Sequence, residues 1–160
     1  MIILLDHNYT LVSNSHQRRS PFTRQIDIET YRDWLLDLLR DRRVILITAR
    51  PEKYREPTLA SIRAKTGWQP EAAYFNEAGL MPPLAKKRAL ERHIFPRFGG
   101  PGQTVYFGVE SNPKTRAMYD RFAIPSVTAA ELEQDPGRLD DPALQTPRPQ
   151  NLMDFCGGSG

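Results

Sequence analysis

Met1-Ile2-Ile3-Leu4-Leu5-Asp6-His7-Asn8-Tyr9-Thr10-Leu11-Val12 is the stretch on which the rest of the chain depends. Five apolar residues run without alternation into an aspartate, which reads as a strand buried on both faces, as in a parallel sheet. A carboxylate at the C-terminal end of such a strand stands where open α/β sheets keep their ligand crevice. An isolated aspartate at that position also serves as a turn or cap residue, so Asp6 gains meaning only if other strand ends supply partners.

Two further apolar runs end in the same way. Arg43-Val44-Ile45-Leu46-Ile47-Thr48 closes on a hydroxyl, and Thr104-Val105-Tyr106-Phe107-Gly108-Val109 closes on Glu110. Ala72 to Phe75 reads as a short third strand, and Pro125 to Val127 as a last brief one. Between them, helical spacing is visible over Ile28–Arg40 with Asp27 as its N-cap, over Thr58–Lys65 ended by Gly67, over Leu84–Phe98 with a kink or stop at Pro96, and over Pro113–Phe122. Val12 to Gln25 is polar, rich in arginine and without period, so it is expected to form a loop over the sheet edge. Strands alternating with helices predict an α/β fold, a doubly wound parallel sheet in which Asp6, Thr48 and Glu110 meet in one crevice.

With 160 residues, 39% hydrophobic and 26% charged, the chain has the composition of one globular domain. Residues 1–133 are expected to form it, and the Pro-, Asp-, Gln- and Gly-rich residues 134–160 an extended or disordered tail that closes on the linker-like Gly157-Gly158-Ser159-Gly160. No apolar run approaches the roughly 20 residues of a membrane span, and the opening run lacks a basic flank, so a cytoplasmic protein is expected. The single Cys156 excludes an internal disulfide framework. A net charge of +3 permits an anionic ligand but falls short of a dedicated DNA-binding domain. The oligomeric state is not legible.

On these residues the chain resembles the haloacid dehalogenase (HAD) superfamily of phosphohydrolases, in a small-cap form with a Rossmann-like core. Asp6-His7-Asn8-Tyr9-Thr10 is similar to its Asp-x-Asp-x-Thr motif, Thr48 to its Thr/Ser strand end, Lys86 or Lys87 to its helix-opening lysine, and Glu110 to its acidic strand end. The resemblance covers about residues 1–128. Its second half is most similar to the phosphatase domain of polynucleotide kinase/phosphatases, on Arg92 to Phe98 and Glu110 to Tyr119.

The resemblance implies that Asp6 is a nucleophile forming an aspartyl-phosphate. It implies Mg²⁺ held by Asp6, the Asn8 carbonyl, Glu110 and the neighbouring Ser111, since hard oxygen donors and retained waters suit that ion. Thr48 would then bind phosphoryl oxygens, and a lysine would neutralise the carboxylate–phosphate pair. Lys86 is preferred to Lys87 because its spacing to Leu90 and Ile94 puts it on the core side of the helix. Thr10, Arg50, Lys87, Arg18 and Arg19 are the further candidates for contact with substrate, and Tyr9, Phe22 and Tyr54 could stack a base.

One position departs from the pattern. The family's second aspartate, its general acid and base, is Asn8 here. An amide cannot exchange a proton at neutral pH, so help typically worth about 10²–10⁴-fold is absent there. Leaving groups that depart without protonation suffer least from that loss. His7 is adjacent and titrates in the right range, but an extended chain should point it away from Asp6. The expectation is a Mg²⁺-dependent phosphohydrolase acting on a phosphorylated small molecule, a nucleotide or a nucleic-acid terminal phosphate. The alternatives are a non-catalytic phosphate- or nucleic-acid-binding module of the same fold, or a phosphotransferase.

Overall fold

The computed structural model describes residues 1–147. Five strands, β1 (Ile2–Leu5), β2 (Arg43–Pro51), β3 (Ala72–Asn76), β4 (Tyr106–Val109) and β5 (Ser126–Val127), form one sheet in the order β3-β2-β1-β4-β5. Every neighbouring pair is parallel. The expected doubly wound α/β architecture is the one observed.

Side-chain alternation along β1 divides the core in two. Ile3 and Leu5 pack on one face with Leu35, Leu36, Leu39, Val44, Leu46 and Ile62. Ile2 and Leu4 pack on the other with Ile45, Ile47, Leu90, Ile94, Met118 and Tyr119. A strand apolar at every position is what a sheet covered on both sides requires. The first face is covered by α2 (Asp33–Leu39) and α3 (Arg55–Thr66). The second is covered by α4 (Pro82–Ala89), its continuation through a π turn over Leu90–Ile94 into α5 (Phe95–Phe98), and α6 (Pro113–Arg121). The chain reverses its direction of travel across the sheet between β1 and β4. The ends of those two strands form the topological switch point where open sheets bind ligands.

Several local expectations are corrected. Arginine-rich Val12–Gln25 is not loop to its end, because α1 (Phe22–Ile28) begins inside it, and Asp27 lies within that helix rather than capping the next. The following helix starts at Asp33, and Tyr31 instead forms a bridge with Val12. Leu84 is exposed, the buried face of α4 being Ala85, Lys86 and Ala89. Pro96 does not end the helix, which runs through a π turn to Phe98. Gly67 does stop α3, in the left-handed conformation at φ 71°.

From the end of α7 (Ala129–Gln134) to residue 147 the chain turns back on the core rather than running extended. Two 3₁₀ turns, Pro136–Asp140 and Pro142–Leu144, bury Leu139 and Leu144 in the first core. Two leucines spaced to reach one hydrophobic surface outweigh a polar, proline-rich composition. The part of the expected tail at 148–160, with Cys156 and the glycine-rich end, lies outside the described residues.

Candidate functional site

Asp6 follows β1 directly and Glu110 follows β4, and the register pairs Leu5 with Val109, so the two acidic residues emerge side by side. The Asp6 amide donates to the Val109 carbonyl at 3.0 Å. Thr48 lies two residues beyond Leu46, the β2 partner of Leu5. Sheet register therefore brings the three predicted strand ends together. They line one pocket of about 230 Å³ with Asn8, Tyr9, Lys86 and Ser111.

Both Asp6 oxygens are engaged. Lys86 Nζ donates to Oδ1 at 2.7 Å, while the Thr10 and Ser111 hydroxyls donate to Oδ2 at 2.8 and 3.0 Å. The same ammonium donates to Glu110 Oε2 at 2.5 Å, and Glu110 Oε1 accepts from the Asn112 amide. Burial pushes the Asp6 carboxyl up, but Lys86, followed by the Thr10 hydrogen bond, outweighs it and holds the group below its ordinary range. Burial acts the other way on the Lys86 ammonium, and the two carboxylates overcome it and raise its pKa. At Glu110 burial dominates and pushes the carboxyl up to about 7 despite Lys86.

The choice between lysines is made by α4. Lys86 is buried on its sheet side, whereas Lys87 is half exposed and 3.8 Å from Glu91, so Lys87 does not reach the site. Thr10 is also corrected. Fully buried and donating to Asp6, it orients the carboxylate and cannot touch a ligand. Arg50 is likewise buried rather than displayed. Its guanidinium binds both oxygens of Glu29 (3.0 and 2.6 Å), the Thr58 hydroxyl and Asn8 Oδ1 (3.1 Å). Glu29 and Thr58 carry no sequence signal for this role, because their partner lies across the fold.

Asn8 is exposed at the pocket mouth. Arg50 donates to its Oδ1, so the amide NH₂ is the end left for a ligand. His7 Nδ1 lies 3.2 Å from the same oxygen, which assigns its hydrogen to Nδ1. His7 is fully buried, and burial first, then the Arg50 guanidinium, lowers its pKa to about 3. It therefore stays neutral and offers no proton to the pocket. Tyr9 has φ 59°, a left-handed conformation uncommon for an aromatic residue, and its side chain is exposed. Backbone strain at such a position is characteristic of functional turns.

Thr48 Oγ1 accepts from the Arg50 amide, leaving its hydrogen free to donate into the pocket. The oxygens that could hold a cation are Asp6 Oδ2, the Asn8 carbonyl and Ser111 Oγ, the last lying 3.0 and 3.5 Å from the other two. Glu110 is committed to Lys86 in this arrangement. Among the described residues no group of three or more His, Cys, Asp or Glu side chains is placed to hold a metal ion.

Arg18 and Arg19 lie in a separate cleft of about 160 Å³ with Ser15, Phe22 and Arg50, and Asn8 and Tyr9 belong to both hollows. The Phe22 and Tyr54 rings pack against each other tilted by 42°, with centroids 4.4 Å apart, and the Arg50 guanidinium lies over Phe22 at 4.9 Å.

No protein-family model matches this sequence, and no curated protein matches it either. Solved structures do resemble it. A chain of the Pnkp1/Rnl/Hen1 RNA repair complex superposes with a TM-score of 0.65 at 19% identity, covering 79% of this chain and 41% of that one. A second structure of the Pnkp1/Rnl/Hen1 complex gives 0.63 at 20% identity, with 79% and 44% covered. The likeness shows a shared fold, and this chain spans less than half the length of the chains it matches. None of the helices among the described residues is long and apolar enough to cross a membrane.

Proposed function

We propose that this chain is a HAD-type phosphohydrolase that acts through Asp6 on the terminal phosphate of a nucleotide or nucleic-acid end. The observation that carries the reading is the Asp6–Lys86–Glu110 cluster. A carboxylate held ionised at the floor of a pocket, with one buried ammonium beside it, is suited to attack a phosphate. The fold shared with chains of an RNA repair complex supports a nucleic-acid end over an unrelated phosphorylated metabolite.

Each side chain has a part that its contacts define. Thr10 and Ser111 fix the rotamer of Asp6, so that attack needs no search for orientation. Lys86 offsets the repulsion between the carboxylate and an incoming phosphate. Thr48 O–H and the Asn8 NH₂ are the donors available to phosphoryl oxygens. The convergent oxygens of Asp6, Asn8 and Ser111 fit Mg²⁺, a hard ion that keeps several waters and needs few protein ligands. When bound it would supply further neutralisation of phosphoryl charge. In this reading Glu110 positions Lys86.

The test is phosphate release with Mg²⁺ from nucleotides and from 3′- and 5′-phosphorylated oligonucleotides, with Asp6→Asn as control. Release that disappears with Asp6→Asn is expected. Absence of release from every substrate, with ligand binding retained, would establish the non-catalytic module instead.

A further inference from the structure

We infer that the bond cleaved here is a phosphoanhydride, its leaving phosphate held by Arg18 and Arg19 in the cleft beside the Asp6 pocket; this rests on the phosphohydrolase reading. Two observations combine. Asn8, which with Tyr9 borders both hollows, is an amide with no proton to give. The second hollow, beside the Asp6 pocket, is lined by Arg18 and Arg19, the Arg19 guanidinium donating one bond to the Arg18 carbonyl at 2.9 Å.

The cleft is built rather than incidental. Asn14, buried, donates to the Ile28 carbonyl and accepts from the Thr30 amide, closing the base of the loop. Gln25, also buried, donates to the Gln17 carbonyl and accepts from the Arg19 amide at 2.7 Å. These two amides hold the Arg18–Arg19 backbone in place before any ligand arrives. Glu29, the carboxylate in the lining, is bound on both oxygens by Arg50. It therefore does not neutralise the exposed pair.

Leaving-group chemistry decides between esters and anhydrides. A sugar hydroxyl departs as a strongly basic alkoxide unless a proton reaches it in the transition state; Asn8 is an amide, and His7 is fully buried and lines neither hollow, so neither provides one. A phosphate departs as a weakly basic anion and needs cations instead, which paired guanidiniums supply in bidentate form. In the step, an Asp6 oxygen bonds to the terminal phosphorus as the bridging P–O bond breaks. The bond's electron pair goes to the bridging oxygen, which leaves as part of the phosphate held by Arg18 and Arg19. Water then bonds to phosphorus, the aspartyl–phosphate P–O bond breaks, its electron pair returns to Asp6, and the water proton goes to the released orthophosphate.

The experiment compares a nucleoside diphosphate and triphosphate with the monophosphate and with 3′- and 5′-phosphorylated oligonucleotides. The anhydrides are expected to exceed the monoesters in kcat/KM by about 10²-fold or more, with Asn8→Asp narrowing that ratio. Arg18→Gln with Arg19→Gln should raise KM for the diphosphate about tenfold more than for the monophosphate. Monoesters cleaved as fast as anhydrides, or equal effects of the double substitution on both, overturn the inference. Binding provides an independent arm. Inorganic pyrophosphate should bind the Asp6→Asn chain about tenfold tighter than orthophosphate, and lose that advantage with the arginine pair. Equal binding overturns the two-phosphate site. The pyrophosphate preference without any turnover supports the site while defeating the phosphohydrolase reading.

Discussion

Lys86 and Asp6 stand 80 residues apart in sequence and 2.7 Å apart in space, and their contact joins α4 to the end of the central strand. Glu110 closes the group from β4, so one ammonium serves two carboxylates in a region nearly closed to water. Removing one member of such a cluster strands buried charge.

Lys86→Met is therefore expected to cost about 3–5 kcal/mol in urea unfolding at pH 8. The loss should shrink toward pH 5, because Glu110, already pushed up to about 7 by burial, then takes a proton and ceases to repel Asp6. A second substitution, Glu110→Gln, should recover part of the loss at pH 8. A Lys86→Met penalty that is the same at both pH values would contradict the ion cluster.

Arg50→Met should cost a similar amount, about 3–5 kcal/mol, because Glu29 is left buried and unpaired. Replacing both, Arg50→Met with Glu29→Met, should be much less harmful than either change alone, a coupling measurable as a double-mutant cycle. The single change should also shift the Asn8 side-chain amide resonances, since its oxygen loses the Arg50 donor.

His7 makes stability depend on pH with a definite sign. Its imidazole titrates near 6.5 when unfolded and near 3 when folded, so between those values only the unfolded chain takes up the proton. The contribution is fully present above 6.5 and is lost as pH falls toward 3, with a slope of up to about 1.4 kcal/mol per pH unit. His7→Asn keeps a donor near Nδ1 and removes the titration. The stability difference between wild type and His7→Asn should move between pH 7 and 4.5 in the variant's favour, and an unchanged difference would refute the burial argument.

Gly108→Ala should destabilise by about 1–3 kcal/mol by overpacking. A Cβ there would lie 3.0 Å from Ser126 Cβ and from the Tyr119 ring, and both belong to packed elements that cannot easily withdraw. Because Gly108 precedes Glu110 by two residues on β4, the same change should weaken anion binding. Calorimetry with orthophosphate measures it.

Asn8→Asp should raise release from phosphomonoesters by about 10²–10⁴-fold, the usual worth of general acid–base help. Arg50, already in contact with that position, would hold the new side chain in the orientation of the amide. A steady-state comparison on one monoester decides it, and no gain would mean that proton transfer is not what the site lacks.

The sheet and the location of the site were determined by local pattern. Unalternated β-branched and leucine runs make strands buried on both faces, and parallel register then delivers Asp6, Thr48 and Glu110 to the same edge, because each closes such a run. Helix phase alone separated Lys86 from Lys87, since residues four apart share a face. What the tertiary structure decided concerns side chains whose partners are remote in sequence. Arg50 and Thr10 look like ligand contacts in a linear reading, yet Glu29 and Asp6 claim them in the fold. Leu139 and Leu144 are two apolar residues in a polar stretch, and only the hydrophobic core assembled from residues remote in sequence makes their burial favourable. Local propensity and period are properties of neighbours along the chain; charge pairing and burial depend on what arrives from elsewhere.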